Sequence, residues 1–298
     1  MTFKSGFVSV IGRPNVGKST LTNFLTGQKI SIMSPRPQTT RNTIRAILTN
    51  EKGQIVFLDT PGIHNPQNKL GTFMVKQAMN SLNDVDCVIY MVEPVKKDIS
   101  AGDLEILEKL KEVNKNVILL INKIDRCDKS EVLNTIDKFS KQMSFSSIIP
   151  VSVTNKDNTE NLEKVIFDCL SEGPMYFEGD EITDQPEKLI VAEYIREKVL
   201  LFLREEVPHG VGVEIMSFKE RENSELIDIE ATIYCEKKSH KGIIIGKSGS
   251  MLKKIGTSAR KDIESLLACK VYLVLWVKVK EDWRNSSFML KNLGYKDE

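Results

Sequence analysis

The octapeptide Gly12-Arg13-Pro14-Asn15-Val16-Gly17-Lys18-Ser19 constrains this chain more than any other stretch. It follows the apolar run Phe7-Val8-Ser9-Val10-Ile11 and opens a segment, Thr20 to Leu25, that can be helical. The pattern is G-x-x-x-x-G-K-S in the strand–loop–helix setting it needs. A glycine-rich loop there lets backbone N–H groups point inward, where they and the helix N-terminus can hold a β-phosphate. Lys18 would then reach the β- and γ-phosphates, and the Ser19 hydroxyl would ligate Mg²⁺.

At 298 residues the chain is long enough for two domains, each with its own core. Its 41% hydrophobic and 28% charged residues are those of a globular protein, and no apolar run approaches bilayer-spanning length. Met1 to Gly6 passes straight into the first expected strand, which leaves no room for a signal peptide. Cys87, Cys127, Cys169, Cys235 and Cys269 are scattered and odd in number, with no C-x-x-C pair. A reduced, cytoplasmic, non-metal role is expected for them. The formal net charge of +1 says nothing overall, so any nucleic-acid signal must be local.

Up to about Leu170, short β-rich runs alternate with helical periods. Ile55–Leu58, Cys87–Val92 and Val117–Ile121 read as strands buried on both faces. Leu104, Leu107, Leu110 and Val113 keep a helical spacing between the last two. Ser147 to Val151 reads as a final strand and Glu160 to Leu170 as a final helix. This alternation predicts a doubly wound α/β domain. The residues 43–48 and 54–58 flank a plausible hairpin, so one antiparallel edge is expected. Residues 171–186 carry Gly173-Pro174, Gly179-Asp180 and Asp184-Gln185-Pro186 without periodicity, the composition of a linker.

Two further motifs sit at strand ends. Asp59-Thr60-Pro61-Gly62 can bring a carboxylate to the Mg²⁺ hydration shell and a Gly62 N–H to a γ-phosphate. Asn122-Lys123-Ile124-Asp125 offers a carboxylate that accepts from both the ring N–H and the exocyclic amine of guanine. Adenine lacks that donor pair, so binding it would leave the carboxylate unpaired. Asn122 and Lys123 would tie the base loop to the phosphate loop. A backbone N–H from Ser152-Val153-Thr154 could meet the guanine oxygen. Together these motifs predict a P-loop GTPase; a P-loop kinase is the rival that Asn122-Lys123-x-Asp125 disfavours.

Between the motifs lie two candidate switch segments, 29–45 and 63–80. Thr40 is the preferred second Mg²⁺ hydroxyl, with Thr39 the alternative, so Ser19, Thr40 and Asp59 form the expected metal set. Position 63 is isoleucine where many GTPases place a water-orienting glutamine, which predicts slow intrinsic hydrolysis. His64 is read as a solvated loop histidine rather than a substitute base.

Gly246-Lys247-Ser248-Gly249 matches the G-x-x-G loop of KH domains, which clamps a nucleotide backbone. From Lys237 to Lys261 the chain carries eight basic residues and no Asp or Glu. Lys241, Lys247, Lys253 and Lys254, with Gly246, Ser248 and Gly249, are the expected RNA contacts. An apolar groove floor is expected from Ile243, Ile244, Ile245, Met251 and Ile255. Trp276, Trp283 and Phe288 are expected to pack in the core rather than stack bases.

With Pro37-Gln38-Thr39-Thr40-Arg41 and Val277-Lys-Val-Lys-Glu-Asp-Trp-Arg-Asn285, these motifs give a chain that resembles, over essentially its whole length, the Era family of bacterial Ras-like GTPases. The resemblance implies an α/β P-loop GTPase domain over residues 1–172, with a mostly parallel six-stranded sheet and helices on both faces. A linker over 173–187 and an α+β type II KH domain over 188–298, with a C-terminal helix, would follow. It implies GTP hydrolysis and binding of the 3′ end of small-subunit (16S) ribosomal RNA, in assembly of the small ribosomal subunit, by a monomer. It makes Asn15, Lys18, Thr40 and Gly62 the candidate catalytic groups and Gly12, Asn15, Val16, Gly17, Lys18, Ser19 and Thr20 the phosphate-loop contacts. Relatives with asparagine in that loop can use K⁺, so Asn15 is the candidate ligand. Ser152-Val153-Thr154 departs from the family's more usual Ser-Ala. Two alternatives stand beside this: a GTP-sensing RNA chaperone with incidental hydrolysis, and a cell-cycle GTPase peripheral to the cytoplasmic face of a membrane. No amphipathic anchor or lipidation motif supports the latter.

Overall fold

The computed structural model describes residues 2–222 and 224–296; Met1 and residues 297–298, the outer ends of the two expected domains, lie outside them. The chain divides into two compact units. The first comprises residues 1–31, 40–66 and 74–184; the second comprises 32–39, 67–73 and 185–298.

The first unit holds strands β1 (Lys4–Ile11), β2 (Ile44–Asn50), β3 (Gly53–Asp59), β4 (Cys87–Val92), β5 (Asn116–Ile121) and β6 (Ser147–Pro150). Its helices are α1 (Lys18–Thr26), α2 (Lys69–Asn80), α3 (Ala101–Glu112), α4 (Lys129–Ser140) and α5 (Leu162–Asp168), the first residues of α2 counting with the second unit. The sheet order is β2-β3-β1-β4-β5-β6. Only β2 runs antiparallel to its neighbour, giving the single antiparallel edge that the sequence predicts. Its hairpin is tighter than the five-residue turn expected, because pairing runs on to Asn50 and Gly53. The Asn50 side chain accepts from the Lys52 N–H at 2.9 Å and closes the turn.

Because side chains alternate along a strand, β4 feeds two cores at once. Cys87, Ile89 and Met91 join one apolar cluster, and Val88, Tyr90 and Val92 join the other. Helices cover both faces, so the strands read as unbroken apolar runs. Residues 173–184 are not a free tether. Gln54 ties Tyr176 and Phe177, the Ile47 N–H donates to Ile182 O, and Arg45 pairs with Asp184. The segment turns as its composition predicts, but its docking on β2 and β3 depends on side chains far away in sequence.

The second unit runs α6 (Glu187–Phe202), β7 (Gly212–Glu220), β8 (Leu226–Cys235), α7 (Lys238–Ile245), α8 (Ser250–Leu267), β9 (Lys270–Val279) and α9 (Ser287–Asn292). β7 and β8 are antiparallel while β8 and β9 are parallel, the pairing of an α-β-β-α-α-β KH module. α8 buries Ile255, Ala259 and Ile263 at helical spacing and leaves its lysines outward. Trp283 is fully buried and donates its indole N–H to Gly210 O at 2.8 Å. Trp276 and Phe288, expected in the core, are instead 57% and 70% exposed. On β9, Trp276 shares the outward face with Tyr272, the strand's period having placed it there.

Candidate nucleotide site and nucleic-acid interface

The phosphate loop leaves β1 and ends at the N-terminus of α1. Gly12, Asn15 and Gly17 take positive φ, at 150°, 66° and 111°, which turns the loop back on itself. Gly17 is required for a specific reason. A Cβ there would lie 2.4 Å from the Asn122 side-chain nitrogen that crosses behind the loop. Gly62 is equally constrained, since its Cβ would come within 2.7 Å of Pro14 backbone atoms. Thr60 anchors this second loop by donating to Val10 O at 2.7 Å, and Pro61 is buried beside it.

Lys18 is buried, and its ammonium donates to Gly12 O and Arg13 O, each at 3.0 Å. Burial lowers its pKa to about 8 against the opposing pull of Asp59. Asp59 is wholly buried, and neither carboxylate oxygen has a hydrogen-bond partner of good geometry among the described residues. Burial raises its pKa, opposed by the hydroxyls of Ser19 and Ser31, by Lys18 and by Thr40. The Ser19 and Thr40 hydroxyls lie 2.8 Å apart. Two hydroxyls and an unsatisfied buried carboxylate therefore converge, a hard-oxygen set suited to Mg²⁺. Thr39 turns away: its hydroxyl donates to Arg36 O at 2.6 Å.

Asn122 joins three segments. Its side-chain amide donates to Val16 O at 2.8 Å, and its oxygen accepts from the Val153 N–H at 3.2 Å. Lys123, at φ 66°, donates to Asn15 O at 2.6 Å and pairs with Glu93. Asp125 sits exposed at the rim, where the Ser152 hydroxyl donates to it at 2.6 Å and holds its pKa below the usual carboxylate range. The expected guanine contact narrows here. The Ser152 N–H donates to Asp157 O and the Val153 N–H to Asn122, so only the Thr154 N–H makes no hydrogen bond among the described residues.

Ile63 is buried at 6% exposure and packs into the apolar cluster behind β4, so it cannot orient a water. His64 contacts Gly62 O through Nδ1 at 2.7 Å. Sequence reasoning missed Asp103, whose buried carboxylate pairs with Arg13 at 2.8 Å and accepts from Tyr90 at 3.0 Å. The capping pattern Ser100-x-x-Asp103 was the available signal: Ser100 caps α3, accepting from the Asp103 N–H.

In the second unit, α7 stops at Gly246, where φ is 72° and a Cβ would lie 2.7 Å from that of Met251. Ser248 and Gly249 follow with positive φ, and Lys247 and Ser248 are exposed. Lys241, Lys253 and Lys254 are exposed too. Beside the loop lies a cleft of about 360 Å³ lined by Gly249, Leu252, Lys253, Thr257, Arg260 and the β9 residues Leu273 and Leu275. The expected floor is corrected in part. Ile244 and Ile255 face the core with no exposure, because α7 and α8 turn those positions onto the sheet.

A family model described as a 50S ribosome-binding GTPase matches residues 7–123, and one described as a KH domain matches 206–284. GTPase Era of Ruminiclostridium cellulolyticum is 58% identical over 99% of this chain and 99% of its own length. GTPase Era of Clostridioides difficile is 55% identical over 99% and 100% respectively. A point variant of Aquifex aeolicus Era bound to GDP·AlF4⁻ superposes at a TM-score of 0.94, with 40% identity over 99% of this chain and 100% of that one. A structure of Era with MgGDPNP and nucleotides 1506–1542 of 16S ribosomal RNA reaches 0.95 at the same identity and coverage. With whole-length identity above half and both modules in place, this chain belongs to the Era family of GTPases.

Proposed function

We propose that this chain hydrolyses GTP with Mg²⁺ and uses its KH module to bind the 3′ end of small-subunit ribosomal RNA during assembly of that subunit. The observation that carries the nucleotide half is the convergence of Ser19, Thr40 and the unsatisfied Asp59 beside buried Lys18. The RNA half rests on the exposed G-x-x-G loop and on full-length likeness to an Era captured with both MgGDPNP and 16S RNA.

In this proposal Mg²⁺, held through Ser19, Thr40 and Asp59, would neutralise charge on the phosphates. Loop N–H groups of Gly12 and of Asn15 to Thr20, with the Lys18 ammonium, would bind and orient the phosphates, and the Gly62 N–H would meet the γ-phosphate. Asp125, held by Ser152, selects guanine. Because the Ile63 side chain supplies no hydrogen bond, charge stabilisation must come from elsewhere, and Asn15 is the residue we assign to a K⁺ ion. Replacing Asn15 with Ala should erase any excess of the GTP turnover rate in KCl over that in NaCl; a surviving excess would move the cation site away from Asn15.

GTP turnover measured with and without the 16S segment 1506–1542 tests the whole proposal. Stimulation by the RNA is expected. Tight RNA binding with turnover unmoved would favour a chaperone that only senses nucleotide. No described helix is long and apolar enough to cross a membrane.

A further inference from the structure

A second cleft opens on α8, and it is not the one beside the G-x-x-G loop. Its volume is about 480 Å³, and it is lined by Phe202 from the end of α6 and, on α8, by Ser250, Lys253, Lys254, Thr257, Ser258 and Lys261. Lys254, Ser258 and Lys261 follow one another at i, i+4 and i+7, so they form a single stripe about 10 Å long on one side of the helix. Lys253 and Thr257 line both clefts, so the two adjoin along one helix.

The chemistry of this lining is uniform. It presents three ammonium groups and three hydroxyls, and none of its residues is acidic. The half-buried Phe202 ring lies beneath the Lys254 ammonium, 4.4 Å from its centroid. That contact places one lysine head over an aromatic face and holds it at the cleft mouth. Ammonium and hydroxyl donors gathered in one cleft with no carboxylate suit a phosphodiester backbone. A lipid surface is the poorer match, since the ring is capped by Lys254 rather than projecting to insert into acyl chains.

We propose that this Phe202–Lys254–Lys261 cleft is a second RNA-binding subsite, which takes the phosphates of a strand continuing past the G-x-x-G groove. A KH loop clamps about four nucleotides, so a short strand would occupy the groove alone and only a longer one would reach the second cleft. The proposal rests on the reading that the groove itself binds RNA, and the test separates the two.

The experiment uses the full chain and two fluorescent RNAs: the 16S segment 1506–1542, and the tightest-binding hexamer tiled from it. Replacing Lys261, which lines only this cleft, with Glu should weaken the long RNA by about tenfold and reduce its salt slope by at least about 0.7, one phosphate contact's worth. The hexamer should change less than twofold, and GTP binding should be retained. Equal proportional losses on both RNAs, or none on either, would overturn the subsite while leaving the groove reading intact. Unchanged affinity for the long RNA, with binding to phosphatidylcholine–phosphatidylserine vesicles lost, would give the cleft to lipid and overturn it too. If the unaltered chain bound neither RNA, the groove reading would fall and the subsite with it.

Discussion

Asp125 illustrates what a single carboxylate can decide. Exposed at the rim and held by Ser152, it stays ionised and can pair with two guanine donors. Exchange of Asp125 for Asn should move preference from GTP to XTP in competition binding; an unchanged order would refute the base assignment. Lys18 is a second case, because burial lowers its pKa to about 8 from the ordinary lysine value of 10.5. Between those values the unfolded chain holds more protons than the folded one, so stability without nucleotide rises with pH across that window. Phosphates favour the ammonium form, so affinity for GDP should fall from about pH 8 upward. Melting temperatures with and without GDP between pH 7 and 10 would check both signs, and a GDP stabilisation that grew with pH would contradict the assignment. Both residues are legible from motif spacing alone. Asp103 is legible only as a position in the cap pattern of α3; its pairing is not, because its partners Arg13 and Tyr90 come from a loop and a strand distant in sequence.

At the scale of elements, α3 links a cap to the phosphate loop. Ser100 caps the helix, and Asp103 in its first turn pairs with Arg13. Replacing Ser100 with Ala should cost about 1 kcal/mol of stability, seen as a lower denaturation midpoint, with a modest loss of GTP affinity. An unchanged midpoint would show that the cap contributes nothing. α6 shows where periodicity misleads. The spacing of Leu189, Ala192, Ile195, Val199 and Phe202 predicts an apolar helix; Ala192, Ile195 and Val199 are buried, while Leu189 and Phe202 are half-buried. Yet Arg196, Glu197 and Lys198 are buried with them. Each finds partners that the sequence does not reveal: Arg196 pairs with Glu193 and donates to Thr39 O, and Lys198 pairs with Glu197 and Asp262. A charged residue in an apolar helix reads as its solvated side until the neighbouring chain is placed. The α4 helix, Lys129–Ser140, is faint in the sequence because its apolar stripe is short, with Thr135 and Phe139 its only buried residues.

Across the whole molecule, two compact units divide the proposed work of nucleotide chemistry and nucleic-acid contact. A Gly246→Asp change would meet Met251 and place a negative charge in the loop. RNA affinity should fall at least tenfold while GTP affinity holds, as measured by anisotropy and nucleotide titration. Equal RNA affinity would remove the loop from the proposed interface. The linear sequence determined the alternation of strands and helices, the order of the phosphate and base motifs, and the second module with its basic run. Those properties are local: they depend on spacing, turn chemistry and side-chain period within one segment. Only the tertiary structure decided that residues 32–39 group with the second unit, that 173–184 dock on β2 and β3, and that the Val153 N–H is taken by Asn122. It also placed Trp276 outward and opened a basic cleft beside the loop's own. Each of these depends on which distant segment comes to lie alongside, and periodicity within one segment carries no record of that.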